Sequence, residues 1–201
     1  MASPTPLLYN TYYHIFNRGN NRENIFIEES SYAYFLNLYA RYIDPVVDTF
    51  AYCLLRNHFH LLIKTKSEEE VTALKGMHQT DASGDQISKQ FSHFFNAYSK
   101  AMNSAYGRTG SLFQHPFKRV IVSSDCQFWR VIAYIHQNPQ KHKFAGDFRD
   151  WKWSSYRSFL SDKPTKLQRE TVLDWFGGIQ QYLDLHSQWV DDAKSKWLYE
   201  D

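Results

Sequence analysis

The sequence predicts an α+β fold built on a largely antiparallel sheet, and three observations carry that reading. Residues 46–55 and 58–65 are both strand-like and are separated only by Arg56-Asn57, short enough for a hairpin. Segments with helical spacing alternate with segments rich in aromatic and β-branched residues, in the order strand, helix, two strands, helices, strand, helix. Hydrophobic residues make up 43% of the 201-residue chain, enough for one packed core.

The elements follow in order. Residues 9–17 (YNTYYHIFN) read as a strand, closed by a turn at Arg18-Gly19-Asn20-Asn21. Residues 30–43 carry Tyr34, Phe35, Leu38 and Tyr42 at helical spacing, and Asp44-Pro45 ends that helix. After the hairpin, residues 67–82 hold a short helix and Ala82-Ser83-Gly84-Asp85 a polar loop. Residues 87–104 form a helix, residues 111–122 a strand bent at Pro116, and residues 124–138 a helix closed by Pro139. Helices near 169–176 and 179–196 form an appended C-terminal extension. The expected division is a main domain over 1–160 and an extension over 161–201 packed on it.

Composition narrows the function. Two cysteines, Cys53 and Cys126, are too few for a disulfide scaffold or a cysteine-based zinc site and point to a reducing, cytoplasmic setting. No signal peptide and no membrane span is expected, since the first residues lack a basic-then-apolar pattern and no apolar run is long enough. The net charge is only +2, but residues 108–143 hold six basic residues and one acid, Asp125. Such a concentration suits a polyanion, although it also fits a solvated basic face.

Two patterns carry chemistry. In His58-Phe59-His60 on a strand, residues two apart share a face, so both imidazoles project together while Phe59 enters the opposite layer. Neutral imidazole is a common metal ligand. On the helix at 124–138, Gln127, Arg130, Tyr134 and Asn138 form a polar stripe beside an apolar face of Phe128, Val131, Ile132 and Ile135. Either pattern alone fits an ordinary strand face or a tyrosine that packs its ring and wets its hydroxyl. Together they describe a nuclease. A tyrosine oxygen can attack a phosphodiester, a divalent metal can polarise the phosphate, and Asn138, one turn beyond Tyr134, supplies a third ligand. Arg130, one turn the other way, is a candidate phosphate clamp.

His58-Phe59-His60, flanked by Tyr52-Cys53-Leu54-Leu55-Arg56-Asn57 and Leu61-Leu62-Ile63, resembles the HUH signature, and specifically that of the REP-associated tyrosine transposases. Asn17-Arg18-Gly19-Asn20-Asn21-Arg22, Gly110-Ser111-Leu112-Phe113-Gln114, Tyr134-Ile135-His136-Gln137-Asn138-Pro139 and Trp153-Ser154-Ser155-Tyr156 match in the same order, over about residues 9–160. Arg56 departs from the proline often found there. The resemblance implies a ferredoxin-like domain with helices packed on one face of the sheet. It implies Mg²⁺ or Mn²⁺ held by His58, His60 and Asn138, and Tyr134 as the nucleophile that forms a covalent 5′-phosphotyrosine. It also implies a hairpin-flanked single-stranded DNA substrate, action in the nucleoid, and a monomer or homodimer. Arg18, Arg22, Lys118 and Arg119 are candidate DNA contacts.

His14 approaches the site only if its strand neighbours the hairpin; His115 and His136 have no argued role, and His136 points away from Tyr134. The alternative function is a domesticated, non-catalytic binder of single-stranded DNA or RNA. A nucleotide hydrolase with alternating histidines is disfavoured, because Leu62 stands at the third position.

Overall fold

A computed structural model describes residues 7–74 and 85–188. The elements are β1 (Tyr12–Arg18), α1 (Glu29–Tyr42), β2 (Val47–Leu55), β3 (His58–Thr65), α2 (Glu68–Thr72), α3 (Asp85–Ala105), β4 (Lys118–Ile121), α4 (Asp125–Lys141), α5 (Arg169–Phe176) and α6 (Ile179–Ser187). The four strands form one sheet in the order β2-β3-β1-β4, every neighbouring pair antiparallel. This is the ferredoxin-like order, with a helix connecting β1 to β2 and another leading from β3 to β4. The polar loop expected at 82–85 and parts of the helices expected at 67–82 and 179–196 lie outside the described residues.

The sheet separates two cores. On one face Tyr13, Ile15, Phe59, Leu61 and Ile63 pack against α1 and α3. Phe35 of α1 lies against Phe59 and Phe94 at ring-centroid distances of 5.3 and 4.7 Å. Burying each such ring removes enough apolar area to be worth about 2–3 kcal/mol. These two helices pack together on one face, as the resemblance implies for the domain, while α4 adds a layer on the other. The opposite face carries Ala51, Cys53, Leu55 and Leu62, and is covered by α4. The C-terminal helical part then packs on α4 through Tyr156, Phe159, Val172, Phe176 and Tyr182. α4 is therefore sandwiched, and residues 131–139 are buried on every side.

Two boundaries differ from expectation. The strand expected over 111–122 begins only at Lys118; residues 111–117 run as a loop that makes an isolated bridge, Phe113 to Gly19, just beyond β1. α4 runs through Pro139 to Lys141 rather than ending before it. A proline so near the end of a helix removes one N–H bond, and the last turn is held instead by His142 N–H to Asn138 O at 2.9 Å. β2, an edge strand, is capped. Leu54 N donates to Trp153 O (2.9 Å) and Ser155 N to Tyr52 O (2.9 Å), so residues 153–155 pair along the edge and blunt it.

Candidate functional site

Four of the sequence motifs meet around one cleft. The Arg56-Asn57 turn joins β2 to β3 and presents His58 at the first position of β3. The segment after β1 docks on that turn: Gly19 N donates to Asn57 O at 2.9 Å, and Ile25 and Phe26 both donate to Arg56 O at 2.8 and 2.9 Å. Only a carbonyl is needed from position 56, so arginine there leaves the turn intact. A Cβ on Gly19 would lie 2.2 Å from the backbone oxygen of Glu23, which requires glycine at that crossing. Residues 111–114 lie against the same segment. Asn20 Nδ2 donates to Ser111 O (2.9 Å), Gln114 N to Arg18 O (2.9 Å) and Asn17 Nδ2 to Gln114 O (3.1 Å).

His58 and His60 share a face of β3, as their spacing requires, and both are buried. α4 crosses that face. The Tyr134 ring stands edge-on to His60 at 5.4 Å and to His14 at 6.0 Å. Asn138, one turn on, is fully buried beside His58. Its Nδ2 donates to Tyr134 O at 2.8 Å, which orients the amide and leaves Oδ1 as a buried oxygen with no partner in hydrogen-bond geometry, its one electrostatic neighbour being the His58 ring. A buried acceptor in that condition costs about 1–3 kcal/mol. The polar stripe of α4 thus exists at Tyr134 and Asn138, but it faces the sheet rather than water.

Electrostatics favour neutral rings. Burial, then the neighbouring His142 and Arg18, pulls the His58 pKa down to about 3. Burial, then His14, His58, His142 and Lys141, holds His60 well below the usual histidine value. The tautomer of His58 follows from its partner. Asn57 Oδ1, 2.7 Å from His58 Nδ1, can only accept, so the proton sits on Nδ1 and Nε2 carries the lone pair. Among the described residues no group of three His, Cys, Asp or Glu side chains is placed to hold a metal ion. A three-ligand set therefore needs an amide, and Asn138 Oδ1 is the unpartnered donor atom beside the two imidazoles. Two neutral histidines and an amide oxygen suit a divalent cation that retains open positions.

The cleft has a volume of about 360 Å³ and is lined by His58, His60, Tyr134, Arg18, Lys118 and His142 among others. The Lys141 ammonium lies 4.8 Å from the centre of the Tyr134 ring. Of the cations expected to contact DNA, Arg18 and Lys118 line this cleft. Arg119 does not. It follows Lys118 on a strand, so it points to the other face, where its guanidinium stacks on Phe117 at 4.0 Å. Arg130 sits over Trp129 at 5.2 Å, outside the cleft lining, and Arg22 lies exposed in the turn after β1. β1 pairs with the hairpin, so His14 approaches the site on the condition the sequence set for it, whereas sequence reasoning misses Lys141, His142 and Asn57 for the site. Lys141 and His142 sit at i+7 and i+8 from Tyr134, a helical spacing that marks them once Pro139 is known not to end the helix. A second, mostly apolar cleft of about 150 Å³ between α1 and the β2 edge is lined by no histidine, and its Lys166 is paired with Asp44 at 2.9 Å.

No family model matches the chain. A Haemophilus influenzae protein named as a REP-associated tyrosine transposase is 25% identical over 109 residues, which is 54% of this chain and 58% of that protein. The chain resembles the REP-associated tyrosine transposases. The match spans little more than half the length of that curated relative. A solved structure of a REP-associated tyrosine transposase bound to a REP hairpin superposes with a TM-score of 0.57 at 17% identity, covering 82% of this chain and 88% of that one. At that identity the likeness establishes the transposase fold and nothing finer. A transposase structure from Deinococcus radiodurans reaches a TM-score of only 0.38 at 14% identity, over 72% of this chain and 95% of that one.

Proposed function

We propose that this protein is a metal-dependent, transposase-type endonuclease that cuts and rejoins single-stranded, hairpin-flanked DNA through a 5′-phosphotyrosine at Tyr134. The observation that carries the reading is the crossing of α4 over β3. It sets a tyrosine and an unpartnered amide oxygen against two neutral imidazoles in a cleft lined by Arg18 and Lys118. The similarity to a REP-associated tyrosine transposase supports it.

His58, His60 and Asn138 would hold Mg²⁺ or Mn²⁺, and the bound ion would polarise the scissile phosphate and stabilise charge on the departing oxygen. Arg18 and Lys118 draw the DNA backbone into the cleft, where their charge is screened less than on open surface. Tyr134 Oη forms a bond to phosphorus as the bond from phosphorus to the 3′ oxygen breaks. The phenolic proton leaves to solvent, and the departing oxygen takes one up to become a 3′-hydroxyl. The Lys141 ammonium beside the ring favours the developing phenolate. The phosphotyrosine keeps the energy of the broken diester, so a second 3′-hydroxyl reverses the step without ATP. Arg22 is suited to the DNA backbone beyond the cleft. Arg119 and Arg130 drop out of the central contacts, because their guanidinium groups lie over aromatic rings elsewhere. The division at residue 160 assigns the chemistry to residues 1–160 and support of α4 to the extension. The setting that follows is the cytoplasmic nucleoid.

The test is a denaturing gel of purified protein with labelled hairpin DNA from the flanks of its own gene, with and without Mn²⁺. A covalent band that needs the metal and disappears in Tyr134→Phe supports the reading. Tight binding with no band at any flanking hairpin sinks it in favour of a binder without catalysis.

A further inference from the structure

One buried histidine close to the nucleophile has no part in the mechanism above. His14, on β1, is fully buried, and its Nε2 lies 3.0 Å from His60 Nδ1. The two rings are nearly parallel, 5.1 Å apart, and Phe16 stacks on both, at 4.9 Å from His14 and 5.6 Å from His60. β1 pairs with β3 so that His14 stands opposite Leu62 and Phe16 opposite His60. The contact is therefore a diagonal one across the sheet, held by backbone register on both sides.

A hydrogen bond between two neutral imidazoles has one donor and one acceptor. If His60 Nδ1 donates, its Nε2 carries the lone pair and can bind a cation. If His14 donates instead, the lone pair of His60 is on Nδ1 and engaged by His14, and Nε2 carries a proton that repels a cation. His58 already has its proton fixed on Nδ1 by Asn57 Oδ1 at 2.7 Å. Asn57 is itself anchored, because its backbone oxygen accepts from Gly19.

We infer that Asn57 and His14 are positioning residues: each accepts the Nδ1 proton of one histidine, and together they turn both Nε2 lone pairs toward the cleft. The inference rests on the ligand assignment proposed above. Such outer partners fix ring orientation as well as tautomer, and their loss typically weakens metal binding about 10- to 100-fold. The arrangement also gives the histidine buried on β1 beside Tyr134 a role that needs no direct ligation.

The direct test needs no substitution. Long-range ¹⁵N–¹H correlation spectra of the metal-free protein read the tautomer of each ring. Both His58 and His60 are expected with the proton on Nδ1; a proton on Nε2 of either ring overturns the inference for its partner. The second test is Mn²⁺ binding to the full chain, followed by the loss of the free-ion electron paramagnetic resonance signal. His14→Leu and Asn57→Leu are expected to bind at least about 10-fold more weakly, whereas His14→Gln and Asn57→Asp, which keep an acceptor, recover most of the affinity. If both leucine variants bind as the wild type while His60→Ala does not bind, the positioning role falls and the ligand assignment stands. If His60→Ala also binds as the wild type, both fall.

Discussion

α4 separates two clusters of buried histidines that look alike by burial and differ in what they leave open. On the sheet side are His14, His58 and His60; on the C-terminal side are His136 and His186, with Ser155. Burial depresses His58, His60, His136 and His186 alike. The second cluster, however, is closed. His186 Nδ1 donates to Tyr182 O at 2.7 Å, so its Nε2 accepts from His136 Nδ1 at 2.8 Å. His136 Nε2 then accepts from Ser155 Oγ at 2.8 Å, and Ser155 Oγ accepts from Tyr52 N at 2.9 Å. Every polar atom in this chain has a partner, and it ties α6 and α4 to the edge of β2. The first cluster ends in an unpartnered amide oxygen and opens on a cleft with cations. A depressed histidine is thus no mark of a site by itself; a depressed histidine beside an unsatisfied donor atom in a cleft is.

The contrast can be broken by substitution, and the largest effect is expected at Asn138. Asn138→Leu removes both the proposed third ligand and a buried unsatisfied acceptor. DNA cleavage should be lost, while chemical denaturation should show unchanged stability or a gain of about 1 kcal/mol. A loss of stability beyond about 2 kcal/mol would mean the amide serves the fold. His136→Ala should do the reverse. It strands His186 and Ser155 in a sealed interior and should cost about 2–4 kcal/mol. Mn²⁺ affinity measured on the folded protein should stay within about threefold of wild type, since the change lies on the far side of α4.

The closed cluster also sets a pH dependence. His186 falls to about 4 in the folded protein, against about 6.5 in an unfolded chain. Between those values the unfolded state binds the extra proton. The stabilisation is therefore complete above about pH 6.5 and is lost as pH falls toward 4, by about 1.4 kcal/mol per pH unit for this group. Thermal melts from pH 7 to pH 5 should show a falling Tm, and His186→Gln should flatten that slope. Away from both clusters, Gly19→Ala brings an added Cβ against the Glu23 backbone and acts on the fold alone. About 1–3 kcal/mol of destabilisation, read by urea unfolding, is the expected cost.

Much of this was legible in the chain. The two-residue turn, the His58/His60 face and the helix bearing Tyr134 follow from spacing alone, because local periodicity decides them. Of the adjacent candidate contacts Lys118 and Arg119, only Lys118 lines the cleft, since neighbouring strand residues point to opposite faces and the sequence does not say which face carries the site. His136 was set aside because it points away from Tyr134; that direction is right, but the C-terminal extension fills it. The sequence gives His14 only a conditional place, because its bond to His60 depends on the register of β1 against β3, and Asn57 goes unmarked because its bond to the adjacent His58 depends on the geometry of the turn. Asn138 was reached through its helical spacing, yet its unpartnered oxygen is visible only in three dimensions.

The most direct test of the central claim is to trap the protein on single-stranded hairpin DNA with Mn²⁺, digest it with trypsin and nuclease, and map the nucleotide-bearing peptide by mass spectrometry. Residues 131–141 form one tryptic peptide whose only tyrosine is Tyr134. The account requires the nucleotide mass on that peptide, fragmented to Tyr134, and its absence without metal. A nucleotide on any other tyrosine would contradict it.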